Sequence, residues 1–210
     1  MEPVQPGTES AMTTKEHPIL FSGPLIRAIL SGKKTQTRRL LRWDGVQRAE
    51  PCPVGPAVNW SLTSYGGSLR VVRCPYGQPG DRLWVREAWT RIGNDPGADH
   101  YRASASPADL EWITGQGVRW TPSIHMPRRA SRISLEVIEV RVQRIQDITE
   151  EDARAEGIHE HPLGRAALDA NGTHKGAFLA VWEAINGARP GGSIGENPWV
   201  WAVSFKRVQP

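Results

Sequence analysis

Gly32-Lys33-Lys34-Thr35-Gln36-Thr37-Arg38-Arg39 sets four cations and two hydroxyls within eight residues, directly after an apolar helical turn. Upstream, Leu25, Ile26, Ile29 and Leu30 recur at helical spacing, while Pro24 suits a first helical turn and Gly32 the position just past a helix end. The stretch therefore leaves a helix C-terminus and enters a strand over residues 35–41. Such a design can hold an anion, or can activate a hydroxyl nucleophile beside an amine. By itself it also reads as a solvated basic turn, so the remainder of the chain has to decide.

Working outward, an apolar strand over 18–21 precedes the helix. Downstream, a Pro/Gly turn leads into a strand over 82–89, in which Leu83, Val85 and Glu87 share one face and Trp84, Arg86 and Ala88 the other. In residues 131–143 apolar and polar positions alternate, but the phase changes between Val137 and Val140, which predicts a bulge or tight bend. A helix over 147–156 is capped by Thr149 with Asp152 and ended by Gly157. A further helix over 177–186 precedes the closing strand, 198–205. The order predicts an α+β fold: a small mixed β-barrel with flanking helices. It would be a single domain over 17–208 with long loop insertions at about 42–72, 91–122 and 159–175. Residues 1–16 read as a disordered leader within which Met12 is a candidate start.

Composition bounds the function. The 210 residues are 39% hydrophobic, enough for one core, and no apolar run reaches the ~18 residues of a membrane span. A soluble, cytoplasmic monomer without a membrane partner is expected. Cys52 and Cys74 stand apart in Pro-flanked segments, and neither they nor His159 and His161 have metal-ligand spacing, so no metal or cofactor is expected. Net charge is only +4, but arginine outnumbers lysine 21 to 5, which suits planar bidentate contacts to phosphate or carboxylate. Nine tryptophans add stacking surfaces. A nucleotide-like or nucleic-acid partner is favoured.

The chain resembles the ASCH family of PUA-like barrels, in the larger form often seen in phage and prophage genomes. The resemblance rests on G-K-K-T-Q-T-R-R at 32–39, P-G-D-x-L-W-V at 79–85, D-I-T-E-E-D-A-x-A-E-G at 147–157 and N-P-W-V-W-x-x-x-F at 197–205. Compact members of that family include N4-acetylcytidine amidohydrolases with a G-x-K-T-x-T-x-R motif and a catalytic Lys, Thr and Glu. The resemblance implies that Lys34 and Thr37 are catalytic, that Glu156 completes the set, and that Arg39 binds substrate. It implies a modified nucleoside, or RNA carrying one, as partner. The chain departs from the compact members in its insertions, which bear on substrate identity.

The residues can be weighed on their own chemistry. A threonine hydroxyl needs a neighbouring base, and a lysine serves as one only when its pKa is lowered. Lys33, Arg38 and Arg39 would push Lys34 that way, as would burial; Glu156 would oppose it. A strict strand puts residues 34 and 37 on opposite faces, so Lys34 must lie in the turn after Gly32 for the pair to converge. Glu156 falls in the last turn of its helix, where the macrodipole disfavours an anion, and a residue set against local preference hints at function. Arg38, Trp84, Trp89 and Trp199 are candidates to hold base or ribose, and Glu87 to read a ring edge. Two rivals use the same basic cleft: an RNA-binding PUA-like module without chemistry, and a ribonuclease, for which His125 is the histidine in a motif-like setting.

Overall fold

The computed structural model describes residues 14–42, 46–51, 59–94 and 97–208; most of the leader and Cys52 lie outside them. In chain order, β1 (Glu16–Leu20) leads to α1 (Gly23–Leu30), and β2 (Gln36–Leu40) to β3 (Val46–Pro51), β4 (Asn59–Ser64) and β5 (Leu69–Arg73). Then come β6 (Arg82–Arg86), β7 (Trp89–Arg91), β8 (Asp99–Tyr101), α2 (Pro107–Gly115) and β9 (Ser134–Arg144). α3 (Glu150–Ala155), α4 (Pro162–Asn171), α5 (His174–Asn186) and β10 (Trp199–Val208) complete the order.

The main sheet has the order β1-β6-β9-β10-β2, antiparallel except for the β1–β6 pair. Its spine is the β9–β10 ladder, whose register shifts between Ser204 and Phe205. Glu139 pairs with Ser204 and Val137 with Phe205, which leaves Ile138 as the extra residue. That bulge explains the phase change between Val137 and Val140. No ladder joins β1 to β2 among the described residues, and what is established is a mixed α+β fold. The guanidinium of Arg39 in β2 nevertheless donates to the Leu20 carbonyl at the end of β1, 2.5 Å away.

β10 serves two cores because its side chains alternate. Trp201, Val203 and Phe205 join Phe21, Ile26, Ile29, Leu83, Val85 and Leu135 in the larger core, which α1 covers. Val200 joins Ile145, Ile148, Ala153, Phe178 and Trp182 in a second, under α3 and α5. The Val, Leu, Ile and Phe side chains among them each contribute about 1.5–3 kcal/mol by burial. The P-G-D turn has a local structural cause: Gly80 takes φ 91°, and the Asp81 carboxylate accepts from the backbone N–H groups of Lys15 and Gln78.

Three expectations need correction. The strand over 82–89 breaks at Glu87, whose N–H donates to the Met126 sulfur instead of a ladder partner; the chain resumes as β7, paired with β8 in a separate two-stranded sheet. The insertions are not plain loops, since 46–73 carries the antiparallel β3-β4-β5 sheet and 91–122 carries β8 and α2. Within 159–175, α4 starts on Pro162 and its Gly164 packs against Ile158, too closely for any larger side chain. The helix over 147–156 is shorter than expected because residues 145–147 form a 3-10 turn and Thr149 caps the helix proper, accepting from the Asp152 N–H. No helix of the described residues is long and apolar enough to cross a membrane.

The Glu150 carboxylate accepts from the backbone N–H groups of Lys175 and His174, tying the start of α3 to the start of α5. Those bonds hold its pKa down at about 2. A carboxylate depressed in the fold stabilises above its unfolded value of about 4.5 and loses that contribution as pH falls through about 2. Glu150→Gln is therefore expected to lower the Tm at pH 7, with the deficit shrinking as pH drops below 4.5. Thermal melts of both proteins across pH 2–7 check it; a deficit independent of pH contradicts the assignment.

Candidate active site

α1 ends by folding back on itself. The N–H groups of Lys33 and Lys34 both point to the Ala28 carbonyl (2.9 and 3.1 Å), a closure that requires the positive φ of Gly32, 74°. The Thr35 N–H then donates to the Ala155 carbonyl, and the Thr35 carbonyl accepts from Phe205, drawing the chain into the sheet. Lys34 thus lies in the turn and β2 begins two residues later at Gln36, so strand alternation does not separate it from Thr37. Both residues line one cavity of about 290 Å³.

Lys34 is 3% exposed, and its ammonium donates to the Gln36 carbonyl (2.7 Å), the Glu156 carbonyl (2.9 Å) and Glu156 Oε2 (2.8 Å). Three donors meet three acceptors, the full complement of an ammonium. Glu156 Oε1 accepts from Arg38 (3.1 Å), whose other arm reaches Asp152 Oδ2 (2.6 Å). Asp152 also takes bonds from Gln36 (3.1 Å) and Arg141 (3.2 Å). The chain thereby answers the unfavourable macrodipole at the end of α3 with two cations drawn from residues 34 and 38.

Burial pushes the Lys34 pKa down; Glu156 opposes this, and Arg39 and Arg38 add to it, with a net lowering. For Asp152, burial acts upward, but Arg38, Gln36 and Arg141 outweigh it and hold the carboxyl below its ordinary value. Arg38 packs its guanidinium 5.8 Å from the Phe178 ring centre and leaves its Nε without a partner; Arg39 lies 5.3 Å from Phe21, its Nε likewise unpaired. Both line the cavity. Unpaired buried donors beside a cavity suit an acceptor-bearing ligand.

Of the residues singled out by sequence, Lys34, Thr37, Arg38, Arg39 and Glu156 come together on this cavity. Trp199 lines a larger one of about 690 Å³ that adjoins it through Leu40, Arg42 and Arg189. Trp84 does not reach either: it stands on the opposite sheet face from Leu83 and Val85, with Arg86 over its ring. Trp89 packs with Met126 and Ala130 in a small core. Glu87 is buried in a bidentate pair with Arg132 (2.9 and 3.1 Å) and borders a separate cavity of about 330 Å³. None of the six histidines, His125 included, lines the Lys34 cavity. Among the described residues no three His, Cys, Asp or Glu side chains group to hold a metal ion.

Sequence reasoning missed Asp152, Tyr76, Asn186 and Arg189. The four-residue spacing of Asp152 and Glu156 was the available signal, since it sets both carboxylates on one helical face toward β2. Tyr76, Asn186 and Arg189 reach the cavity from the P-G-D loop and the end of α5, where nothing in the local pattern marks them.

No protein-family model matches the chain, and neither does any curated protein. Among solved structures the chain is similar to protein EF3133 from Enterococcus faecalis V583, a DUF984 protein. The identity is 12% and the TM-score 0.36, with 94% of this chain and 82% of that one covered. At that score the likeness carries no argument about fold or chemistry.

Gly157 follows Glu156 at φ 66°, and a Cβ there would stand 2.9 Å from the Lys34 Cβ. Gly32 has a similar φ, 74°, but open space around it. Gly32→Ala is expected to cost about 1–2 kcal/mol of backbone strain, and Gly157→Ala more, because Lys34 must also shift. Denaturant unfolding of the two variants measures the difference; equal losses contradict the close Gly157–Lys34 approach.

Proposed function

We propose that the protein is an amidohydrolase of the ASCH, PUA-like type that cleaves the amide of N4-acylated cytosine nucleosides, giving cytidine and a carboxylate. On this reading the five-stranded sheet is the PUA-like barrel, with Arg39 spanning its seam between β2 and β1. The observation that carries the proposal is the buried Lys34–Glu156 pair sharing one cavity with Thr37. A binding module needs cations and stacking surfaces; a buried amine with a lowered pKa, in a cavity it shares with a threonine, is what a hydroxyl nucleophile needs of its base.

The chemistry follows from the contacts. Lys34 rests as an ammonium; with its pKa lowered by burial, it passes one proton across 2.8 Å to Glu156 when substrate excludes water. Neutral Lys34 then accepts the Thr37 proton as the threonine oxygen bonds to the acyl carbon. The carbon–nitrogen bond breaks, Glu156 returns its proton to the departing amino nitrogen, and cytidine leaves. Lys34 again passes a proton to Glu156 and takes one from water, whose oxygen attacks the acyl-threonine ester; as that carbon–oxygen bond breaks, Glu156 returns its proton to the Thr37 oxygen, and the released acid ionises to the carboxylate. Arg38 holds Glu156 in place through Oε1, so its role is positioning. Arg39 and Tyr76 on the cavity wall supply donors for the ring or carbonyl oxygens.

The ribonuclease rival loses ground because no imidazole borders the cavity. Purified protein is expected to convert N4-acetylcytidine to cytidine, and Thr37→Ala, Lys34→Ala and Glu156→Ala to lower kcat/KM by about 100-fold or more. Lys34→Arg keeps the charge but cannot surrender its proton, so it is expected to be as damaging as Lys34→Ala. No turnover of N4-acetylated cytidine, whether free or phosphorylated, by the unaltered protein contradicts the function. Near-normal turnover by Lys34→Arg contradicts the role of Lys34 as proton acceptor.

A further inference from the structure

The closing N-P-W motif has a structural result that the amide chemistry does not use. Asn197 adopts φ 45°, the one non-glycine residue with positive φ among the described residues, and its carbonyl accepts from Arg144 (2.9 Å). The Arg144 guanidinium stands over the tryptophan of the motif, 4.3 Å from the Trp199 ring centre, and Trp199 is itself fixed by donating to the Val46 carbonyl (3.1 Å). A cation stacked on an indole and tethered by a left-handed backbone is pre-organised rather than mobile. It makes no carboxylate pair among the described residues.

Arg144 faces the cavity of about 690 Å³, which also takes Arg42 and Arg189 into its wall. Those two arginines line the Lys34 cavity as well, so the two spaces meet between them. Among the described residues the Arg189 guanidinium donates only to Asn186 Oδ1 (3.3 Å), and neither it nor Arg42 pairs with a carboxylate. Against these three guanidinium groups the larger cavity has one carboxylate in its lining, the exposed Glu196. The wall is therefore cationic, and planar guanidinium groups match the oxygens of a phosphate.

Resting on the amidohydrolase reading, we propose that the substrate carries a phosphate, bound in the larger cavity by Arg144 together with Arg189 and Arg42, the two arginines it shares with the smaller one, so that the acylated cytosine arrives as a nucleotide and not as the bare nucleoside. The base enters the smaller cavity beside Thr37, and ribose phosphate points into the larger. A free mononucleotide and a phosphodiester within a single strand share this chemistry.

The test measures binding of cytidine, cytidine 5′-monophosphate and a short single-stranded oligocytidylate to the full chain and to Arg144→Ala, Arg144→Lys and Arg189→Ala, at two salt concentrations. The monophosphate is expected to bind at least about tenfold tighter than cytidine, the advantage shrinking with salt. Arg144→Ala and Arg189→Ala are expected to remove most of it, and Arg144→Lys to keep part. Tighter binding still by the oligonucleotide assigns the phosphate to a strand; weaker binding assigns it to a free nucleotide. Equal affinity for cytidine and its monophosphate overturns the proposal, as does an advantage that survives both alanine variants. Turnover of N4-acetylcytidine and its 5′-monophosphate is followed in parallel. If neither is hydrolysed while the phosphate preference holds, the amidohydrolase reading fails and the phosphate site stands; if both are hydrolysed with equal kcat/KM, the phosphate site fails alone.

Discussion

The buried ion pair between Lys34 and Glu156 is the constraint on which the site depends. Withdrawing two charges from water is unfavourable, and the mutual attraction offsets it only where the remaining protons and lone pairs are also bonded. Here they are: the ammonium reaches two backbone carbonyls in addition to the carboxylate, and the carboxylate reaches Arg38. Removing one partner from such a pair typically costs about 3–5 kcal/mol, because the survivor is left buried and uncompensated. The same pair joins the end of α1 to the end of α3, across 122 positions of sequence. Fold and site are in this sense one arrangement.

β2 makes the arrangement accessible. It is the last strand of its sheet, so side chains from both of its faces can border one space at its outer edge. Arg38 faces α3 and α5, while Arg39 packs toward Phe21 in the other core, and Thr37 pairs in register with Val203. A central strand would have separated these groups. The tight turn that precedes β2 adds Lys34 from outside the strand's alternation.

Much of this was legible in the sequence, for physical reasons that differ from residue to residue. The β9 bulge announced itself through the change of phase, because a one-residue insertion must invert a period of two. Lys34, Thr37 and Glu156 were brought together by the family resemblance, because the local pattern at 32–39 reads equally as a solvated basic turn. Asp152 was hidden by a simpler explanation, since its backbone does occupy the Thr149 cap while its carboxylate serves Arg38. The β3-β4-β5 sheet was illegible because β5 is exposed at nearly every position and so has no buried stripe to read. Glu87 lies past the end of β6 and its partner Arg132 is 45 residues away, so no local pattern could say that this buried carboxylate was satisfied far from the cavity.

The most direct measurement is the titration of the Lys34 side-chain nitrogen by nuclear magnetic resonance, assigned by its loss in Lys34→Arg. Burial outweighs the attraction of Glu156, so Lys34 is expected to titrate below the ordinary lysine range. Because Glu156 acts upward, Glu156→Gln is expected to lower it further. A lysine that titrates at or above the ordinary range, or one that rises when Glu156 is neutralised, would contradict an account in which this amine is buried, paired and poised to accept a proton.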